Sequence, residues 1–266
     1  MKIVTFAAIK GGVGKTTITY NYGEWLAGQG KHVLLIDLDH QCNLSQDYKI
    51  MAAENTVGNI FSPDSDGKVE FHHVKKNVDL LAGDMNLDKK EESIDTRPDK
   101  NMRLYMWLSQ NLSTLKENKY DYILIDTHPD FSTSTKNAIV VSHDVISPIT
   151  PSEHGYKAKW NLELRFDQFK KEALNYETGK SFVTANLYFV ANMIKKRTTT
   201  SKNLLERVKD PKERCIAIIP EKELFNRTQI EKIPISEMKE NRSIYNQNKG
   251  FFKEVQTAFE TITDKL

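Results

Sequence analysis

Cysteine is nearly absent from this sequence: Cys42 and Cys215 are the only two in 266 residues, far apart and in no C-x-x-C pairing. That excludes a disulfide framework and a zinc ribbon, and it points to a reducing compartment, the cytoplasm. No apolar run approaches the roughly 18–20 residues needed to cross a bilayer, and the mean hydropathy is −0.55. The opening MKIVTFAAI runs directly into KGGVGKTT with no small-residue cleavage site, so it reads as a buried strand rather than a signal segment. Neither sign of charge dominates. Lys and Arg number 38 against 36 Asp and Glu, a net +2, which rules out a bulk polycation and confines any basic surface to a local patch. Internal repeats and low-complexity tracts are missing too, which excludes a two-lobed architecture of duplicated halves. What is present, 39% hydrophobic and 28% charged residues, is the balance of a chain that buries a core.

Short apolar runs rich in β-branched residues recur, each followed by a stretch with helical spacing. The pattern predicts parallel strands joined by crossover helices. Strands are expected at 3–9, 32–36, 78–82, 122–125, 145–149, 182–191 and 215–219. The runs VLLID and YILID are apolar on both faces, as strands in the middle of a covered sheet are. Helices are expected over 16–28, ending at Gly28-Gln29-Gly30, and over 101–119, where Leu104, Trp107, Leu108, Leu112 and Leu115 recur at helical spacing. Residues 62–68, with Pro63, Asp64, Ser65, Asp66 and Gly67, read as a surface loop, and 91–100 as a polar connector. Neither is long enough to divide the chain. The fold expected is therefore α/β, with a single doubly wound, mostly parallel sheet flanked by helices, in one domain over 1–266.

The first expected strand runs into Lys10-Gly11-Gly12-Val13-Gly14-Lys15-Thr16-Thr17, between a strand and a helix. Three glycines let the backbone curl until successive N–H groups converge, and the positive end of the following helix adds to the potential there. That is a seat for phosphate. Lys15 reaches β- and γ-phosphate oxygens, the Thr16 hydroxyl ligates Mg²⁺, and Thr17 meets the α-phosphate. Against the template G-x-x-x-x-G-K-[ST] the first glycine is replaced by Ile9. In that departure KGGVGKTT resembles the deviant phosphate loop of the ParA/MinD class of P-loop ATPases, and the chain is identified as a ParA/Soj-type member. Because the loop begins at Lys10, no N-terminal helix-turn-helix is expected.

The resemblance carries expectations for particular residues. Lys10 is to reach across an ATP-dependent dimer to the partner's phosphates. Asp126, after YILI, resembles the Walker B aspartate that holds Mg²⁺ through water. The run Asp37-Leu38-Asp39-His40-Gln41-Cys42-Asn43 resembles the switch segment D-x-D-P-Q-G-N, with His40 for proline and Cys42 for glycine. On that match Asp39 orients or deprotonates the attacking water, and Asp37 helps to shape the switch and the metal shell. Thr127-His128-Pro129-Asp130 stands where the family often has threonine and two prolines; His128 is given no catalytic role. Glu153 falls where the family contacts nucleotide across the dimer, and Asn192 and Pro220 fall where related ATPases enclose the adenine. Nothing supplies an arginine finger in cis, so slow basal hydrolysis, accelerated by a partner protein, is expected.

Residues 195–214 hold eight cations, Lys195, Lys196, Arg197 and Lys202 among them, against three carboxylates. Thr198, Thr199, Thr200 and Ser201 add hydroxyls that can bond phosphate, and no aromatic interrupts the run. The composition suits the backbone of nonspecific duplex DNA. The tail 250–266 carries Phe251, Phe252, Val255, Phe259, Ile262 and Leu266 on one face and a net charge of −1, so it is expected to pack on the sheet rather than on acidic lipid. Taken with the resemblance, the expectation is a cytoplasmic, nucleoid-associated partition ATPase. It would use ATP and Mg²⁺, form an ATP-bound sandwich dimer on DNA, and be released when a centromere-bound partner stimulates hydrolysis, in plasmid or chromosome segregation. Two alternatives stay open: a related ATPase that positions another cargo or the division machinery, and a nucleotide-gated DNA-binding regulator.

Overall fold

The computed structural model describes residues 1–63 and 65–266; Asp64, part of the expected 62–68 loop, lies outside the described residues. Among the described residues the sheet has eight strands: β1 (Lys2–Phe6), β2 (Val33–Leu38), β3 (Phe71–Lys75), β4 (Val78–Leu81), β5 (Tyr122–Thr127), β6 (Asp144–Ile149), β7 (Asn186–Ile194) and β8 (Cys215–Pro220). They lie in the order β3-β4-β2-β5-β1-β6-β7-β8. Every pairing is parallel except β3 with β4.

The alternation of side chains along a strand separates the two faces. In β2, Val33 and Leu35 join one apolar cluster while Leu34 and Ile36 join another, and all four are fully buried. The first cluster is closed by the Lys15–Gly28 and Lys249–Lys265 helices, through Tyr22, Leu26, Phe252, Phe259 and Ile262. The second is closed by Leu104, Trp107 and Leu108 of the Arg103–Gln110 helix. The tail thus packs as its apolar face requires, with Phe259 against Tyr22 and Trp25. Gly28-Gln29-Gly30 ends its helix in a Schellman motif: Gly30 N–H donates to the Ala27 carbonyl (2.9 Å) and Lys31 N–H to the Leu26 carbonyl (3.1 Å), with Gly30 at φ 81°.

Five expectations need correction. The strand expected at 3–9 ends at Phe6, and residues 7–9 lie outside it. Strand β3 was not anticipated: its sequence FHHVK is half-exposed and mostly polar, because it sits antiparallel at the sheet edge. It joins β4 by the two-residue turn Lys76-Asn77, with Asn77 at φ 64°, a conformation asparagine tolerates. The expected helix over 101–119 is broken at Asn111 into Arg103–Gln110 and Leu112–Glu117, the Asn111 amide folding back onto the Trp107 carbonyl (2.9 Å). Part of the connector 91–100 belongs to the short Leu87–Ser93 helix. The strand expected at 182–191 starts and ends later, and within it Met193 is left-handed (φ 57°) where the register with β8 slips. Among the described residues, no helix is long and apolar enough to cross a membrane.

Candidate active site

In a parallel sheet the carboxyl ends of the strands share one edge, and here that edge gathers the segments singled out above. β1 delivers the glycine loop, β2 delivers Asp37 and Asp39, β5 delivers Asp126, and β7 delivers Asn192. Gly12 (φ 70°) and Gly14 (φ 90°) are left-handed, so the curl needs glycine at both. At Gly14 the need is double, because a Cβ there would stand 2.5 Å from Asn192 Nδ2. That amide donates to the Val13 carbonyl (2.7 Å, buried) and ties the tip of β7 to the loop. Gly14 then opens the helix, its carbonyl accepting from Ile18 N–H (3.0 Å).

Beneath the loop, charges are gathered out of water. Lys15 is only 6% exposed, Asp39 5%, and Asp37 and Asp126 are wholly buried. Asp37 and Asp126 are direct register partners on neighbouring strands. The Thr16 hydroxyl donates to Asp126 Oδ2 (2.6 Å) and the Thr19 hydroxyl reaches Oδ1 (3.4 Å). Burial pushes the Asp126 carboxyl up to about 8; Lys15 opposes the shift and Asp37 adds to it. Burial likewise lowers the Lys15 ammonium, against the pull of Asp126, Asp39 and Asp130. Among the described residues Lys15 forms no ion pair. A lysine and carboxylates held this way suit a ligand that brings both anionic oxygens and a dication.

Asp37 is committed to the chain itself. Oδ1 accepts from Asp39 N–H (3.2 Å), and Oδ2 accepts from both the backbone N–H (2.9 Å) and the hydroxyl (2.7 Å) of Ser45. The Ser45 hydroxyl in turn accepts from Gly83 N–H (2.9 Å) after β4. These bonds fix the backbone after β2 against the start of the Asn43–Asp47 helix and against Gly83; burial pushes the Asp37 carboxyl up to about 7, opposed by the bonds it accepts. Asp39 Oδ1 accepts from Gln41 N–H (2.9 Å), and among the described residues no donor reaches Oδ2. Cys42 takes the left-handed position (φ 52°) opening the Asn43–Asp47 helix, and burial pushes its thiol up to about 12.

The flanking residues are partly brought together. Lys10 extends over the loop that follows β6, its ammonium 3.5 Å from the Ser152 hydroxyl, while Glu153 pairs with Lys157 (2.7 Å). Asn192 and Pro220 share the walls of a recess beside the glycine loop with Thr17, Met193 and Phe225. In the basic segment Lys195, Lys196, Arg197 and Lys202 are all exposed. Lys195 is paired with Glu221 (3.0 Å) and Lys196 with Glu254, whereas Arg197 and Lys202 have no ion pair among the described residues. Ser201 is buried, and its hydroxyl accepts from Lys195 N–H (3.0 Å), so it offers nothing to an external phosphate; this corrects the expectation for that residue.

Sequence reasoning missed the Asn192–Val13 tie and the Ser45 bridge, which join residues far apart in sequence or across a helix start. It also missed the meeting of His40 with His128, whose rings lie 4.2 Å apart, centroid to centroid. The signal was present, since both occupy positions where the family pattern has proline.

With this geometry in view, comparisons place the chain. The family described as AAA domain matches residues 1–178. An uncharacterised protein of Methanocaldococcus jannaschii is 31% identical over 233 residues, covering 83% of this chain and 85% of its own. The chromosome-partitioning ATPase Soj of Treponema pallidum is 29% identical over 210 residues, 78% of this chain and 77% of that one. A Borrelia burgdorferi protein described as a plasmid partition protein, solved with AMPPNP, superposes at a TM-score of 0.77 with 28% identity, covering 100% of this chain and 99% of that one. The chain belongs to the AAA domain family, within its ParA/Soj-type partition ATPases. It is an ATPase with the doubly wound, mostly parallel P-loop fold that the strand pattern implied.

Proposed function

We propose that this chain is a DNA-segregation ATPase, a single ATPase unit over residues 1–266 whose ATP-bound form is a sandwich dimer. The observation that carries this reading is the buried Lys15, without an ion pair among the described residues, in the field of Asp126, Asp39 and Asp130 beneath a glycine loop whose outer lysine, Lys10, stays at the mouth.

ATP and Mg²⁺ are the cofactors, and the residues fit them. Gly11, Gly12, Val13 and Gly14 present backbone N–H groups, Lys15 faces the phosphates, and Thr17 lies on the wall shared with Asn192 and Pro220, where adenine would sit. Thr16 and Asp126 offer the hard oxygen donors magnesium prefers, with Asp37 behind them fixing the switch. The bound ion supplies charge neutralisation on the phosphates. Asp39, whose Oδ2 meets no donor among the described residues, orients the attacking water. Lys10 neutralises the phosphates of the second subunit across the dimer.

DNA is held nonspecifically through the exposed cations of the basic segment 195–202, of which Arg197 and Lys202 have no carboxylate partner among the described residues. A centromere-bound partner accelerates hydrolysis and releases the dimer, and the protein resides on the nucleoid in the cytoplasm. The test is fluorescence anisotropy of a random-sequence duplex. Binding should require Mg²⁺ with a non-hydrolysable ATP analogue and be weak with ADP; equal binding in both states contradicts the reading.

A further inference from the structure

The two histidines that replace prolines of the family pattern come from different loops, yet they meet. Leu38 of β2 and Thr127 of β5 are register partners, so the residues that follow, Asp39-His40 and His128, emerge side by side at the edge of the sheet. The ring centroids of His40 and His128 are 4.2 Å apart, and one ligand atom from each of Asp39, His40 and His128 lies within 4.8 Å of the others. We propose that Asp39, His40 and His128 form a site for an imidazole-preferring transition-metal dication of the Zn²⁺ class, and that the bound ion fastens the switch segment to the loop after β5 and suppresses ATP hydrolysis.

The donor set is the first argument. Two imidazoles and one carboxylate with a fourth position left to water is a common zinc arrangement, whereas Mg²⁺ wants oxygen ligands, so this site is chemically distinct from the Thr16–Asp126 pair. Ligands sharing one tetrahedral ion at about 2.0–2.2 Å stand roughly 3.3–3.6 Å apart. Both histidines are half-buried, and ligand atoms now within 4.8 Å of one another have to draw closer by side-chain rotation to share one ion.

The support around the site is the second. His128 Nδ1 lies 3.1 Å from Asp130 Oδ2, and Asp130 is itself locked, its Oδ1 accepting from Ser132 N–H (3.0 Å) and the Thr135 hydroxyl (3.3 Å). A carboxylate on one ring nitrogen fixes the ring and leaves the other nitrogen as the ligand. Asp39 Oδ1 is held by Gln41 N–H, so Oδ2 is the oxygen left for the metal. That oxygen is also the one assigned to the attacking water. A loaded ion therefore removes it from catalysis while leaving Lys15, Thr16 and Asp126 to bind nucleotide. This inhibitory half rests on the role given to Asp39 above; the binding half does not.

The experiment uses tag-free, nucleotide-free full-length protein. Zn²⁺ affinity is measured against a chromophoric chelator, and Co²⁺ is added as a spectroscopic probe. Expected are one Zn²⁺ per chain, visible Co²⁺ bands of tetrahedral intensity, and affinity weakened on the order of tenfold or more in each of His40→Gln and His128→Gln. The milder Asp130→Asn, which leaves all three ligands in place, should weaken binding by about tenfold. Variants with unchanged far-ultraviolet circular dichroism and unchanged Zn²⁺ affinity would overturn the site. In a second arm, buffered free Zn²⁺ should slow Mg·ATP turnover in the wild type and not in His128→Gln, with Mg·ATP affinity unchanged. Site-specific Zn²⁺ binding without any loss of turnover would overturn the inhibitory half and the Asp39 assignment, while the binding site itself would stand.

Discussion

Replacing Gly14 by alanine separates two costs that the glycine loop imposes. At φ 90° an L-residue is strained by about 1–2 kcal/mol. Its Cβ would also fall 2.5 Å from Asn192 Nδ2, closer than any stable contact, so the buried hydrogen bond to the Val13 carbonyl has to yield, at about 1–2 kcal/mol more. Gly14→Ala should therefore cost about 2–4 kcal/mol. Gly12→Ala is the internal control: φ is 70°, but nothing lies within 4 Å of its Cβ, so only the strain of about 1–2 kcal/mol applies. In the Asn192→Ala background the obstructing amide is gone, and Gly14→Ala should fall to the cost of Gly12→Ala. Urea unfolding of the four variants and the wild type reads all these quantities at constant m-value. If Gly14→Ala costs the same as Gly12→Ala, or costs the same with and without the Asn192 amide, the steric reasoning fails.

Other consequences follow from the charged groups. Asp39→Ala should retain Mg·ATP affinity while turnover falls by about 10²–10⁴, measured as phosphate release under saturating ATP. A parallel loss of affinity would assign Asp39 to binding instead. Because Lys195 and Lys196 already pair with Glu221 and Glu254, Arg197→Gln with Lys202→Gln should reduce the salt slope of DNA affinity by about two, and Lys195→Gln with Lys196→Gln by less. Equal effects would move the contact surface. Glu24 is buried, and desolvation raises its pKa despite the Tyr48 hydroxyl (2.6 Å) and Lys75 (3.6 Å). A carboxyl whose folded pKa lies above its unfolded value destabilises increasingly as pH climbs from the unfolded value through the folded one. Glu24→Gln should therefore stabilise at pH 8 and change little at pH 4, read as thermal midpoints; a gain confined to acid pH would reverse the sign.

The central strands were legible because they are extreme: VLLIDL and YILIDT are buried on both faces, and only a covered parallel sheet accommodates that. The glycine loop was legible because its geometry is local, set by Gly12 and Gly14 in their own backbone angles. β3 was not, since an edge strand with one neighbour needs no apolar face, and FHHVK shows none. The break at Asn111 was hidden for the opposite reason: Leu104, Leu108, Leu112 and Leu115 keep the apolar stripe running through it. At the site, Asp37 could be picked from its position at a strand end, but not its partner Ser45, nor the bond from Asn192 to Val13 across 179 positions. Such contacts are created by strand order, and the order β2-β5-β1-β6-β7 is a tertiary fact that a linear pattern does not contain. The same holds for His40 and His128, readable singly as departures and jointly only in space.

The claim on which the functional reading turns is that triphosphate joins two copies of this chain through Lys10. Sedimentation velocity of the wild type with Mg²⁺ and AMPPNP, beside Lys10→Ala under the same conditions, tests it most directly. The account predicts a nucleotide-dependent shift from one-chain to two-chain mass in the wild type and none in Lys10→Ala, although the variant still binds the analogue. A wild type that keeps its one-chain mass with analogue bound, or a Lys10→Ala variant that pairs normally, would contradict it.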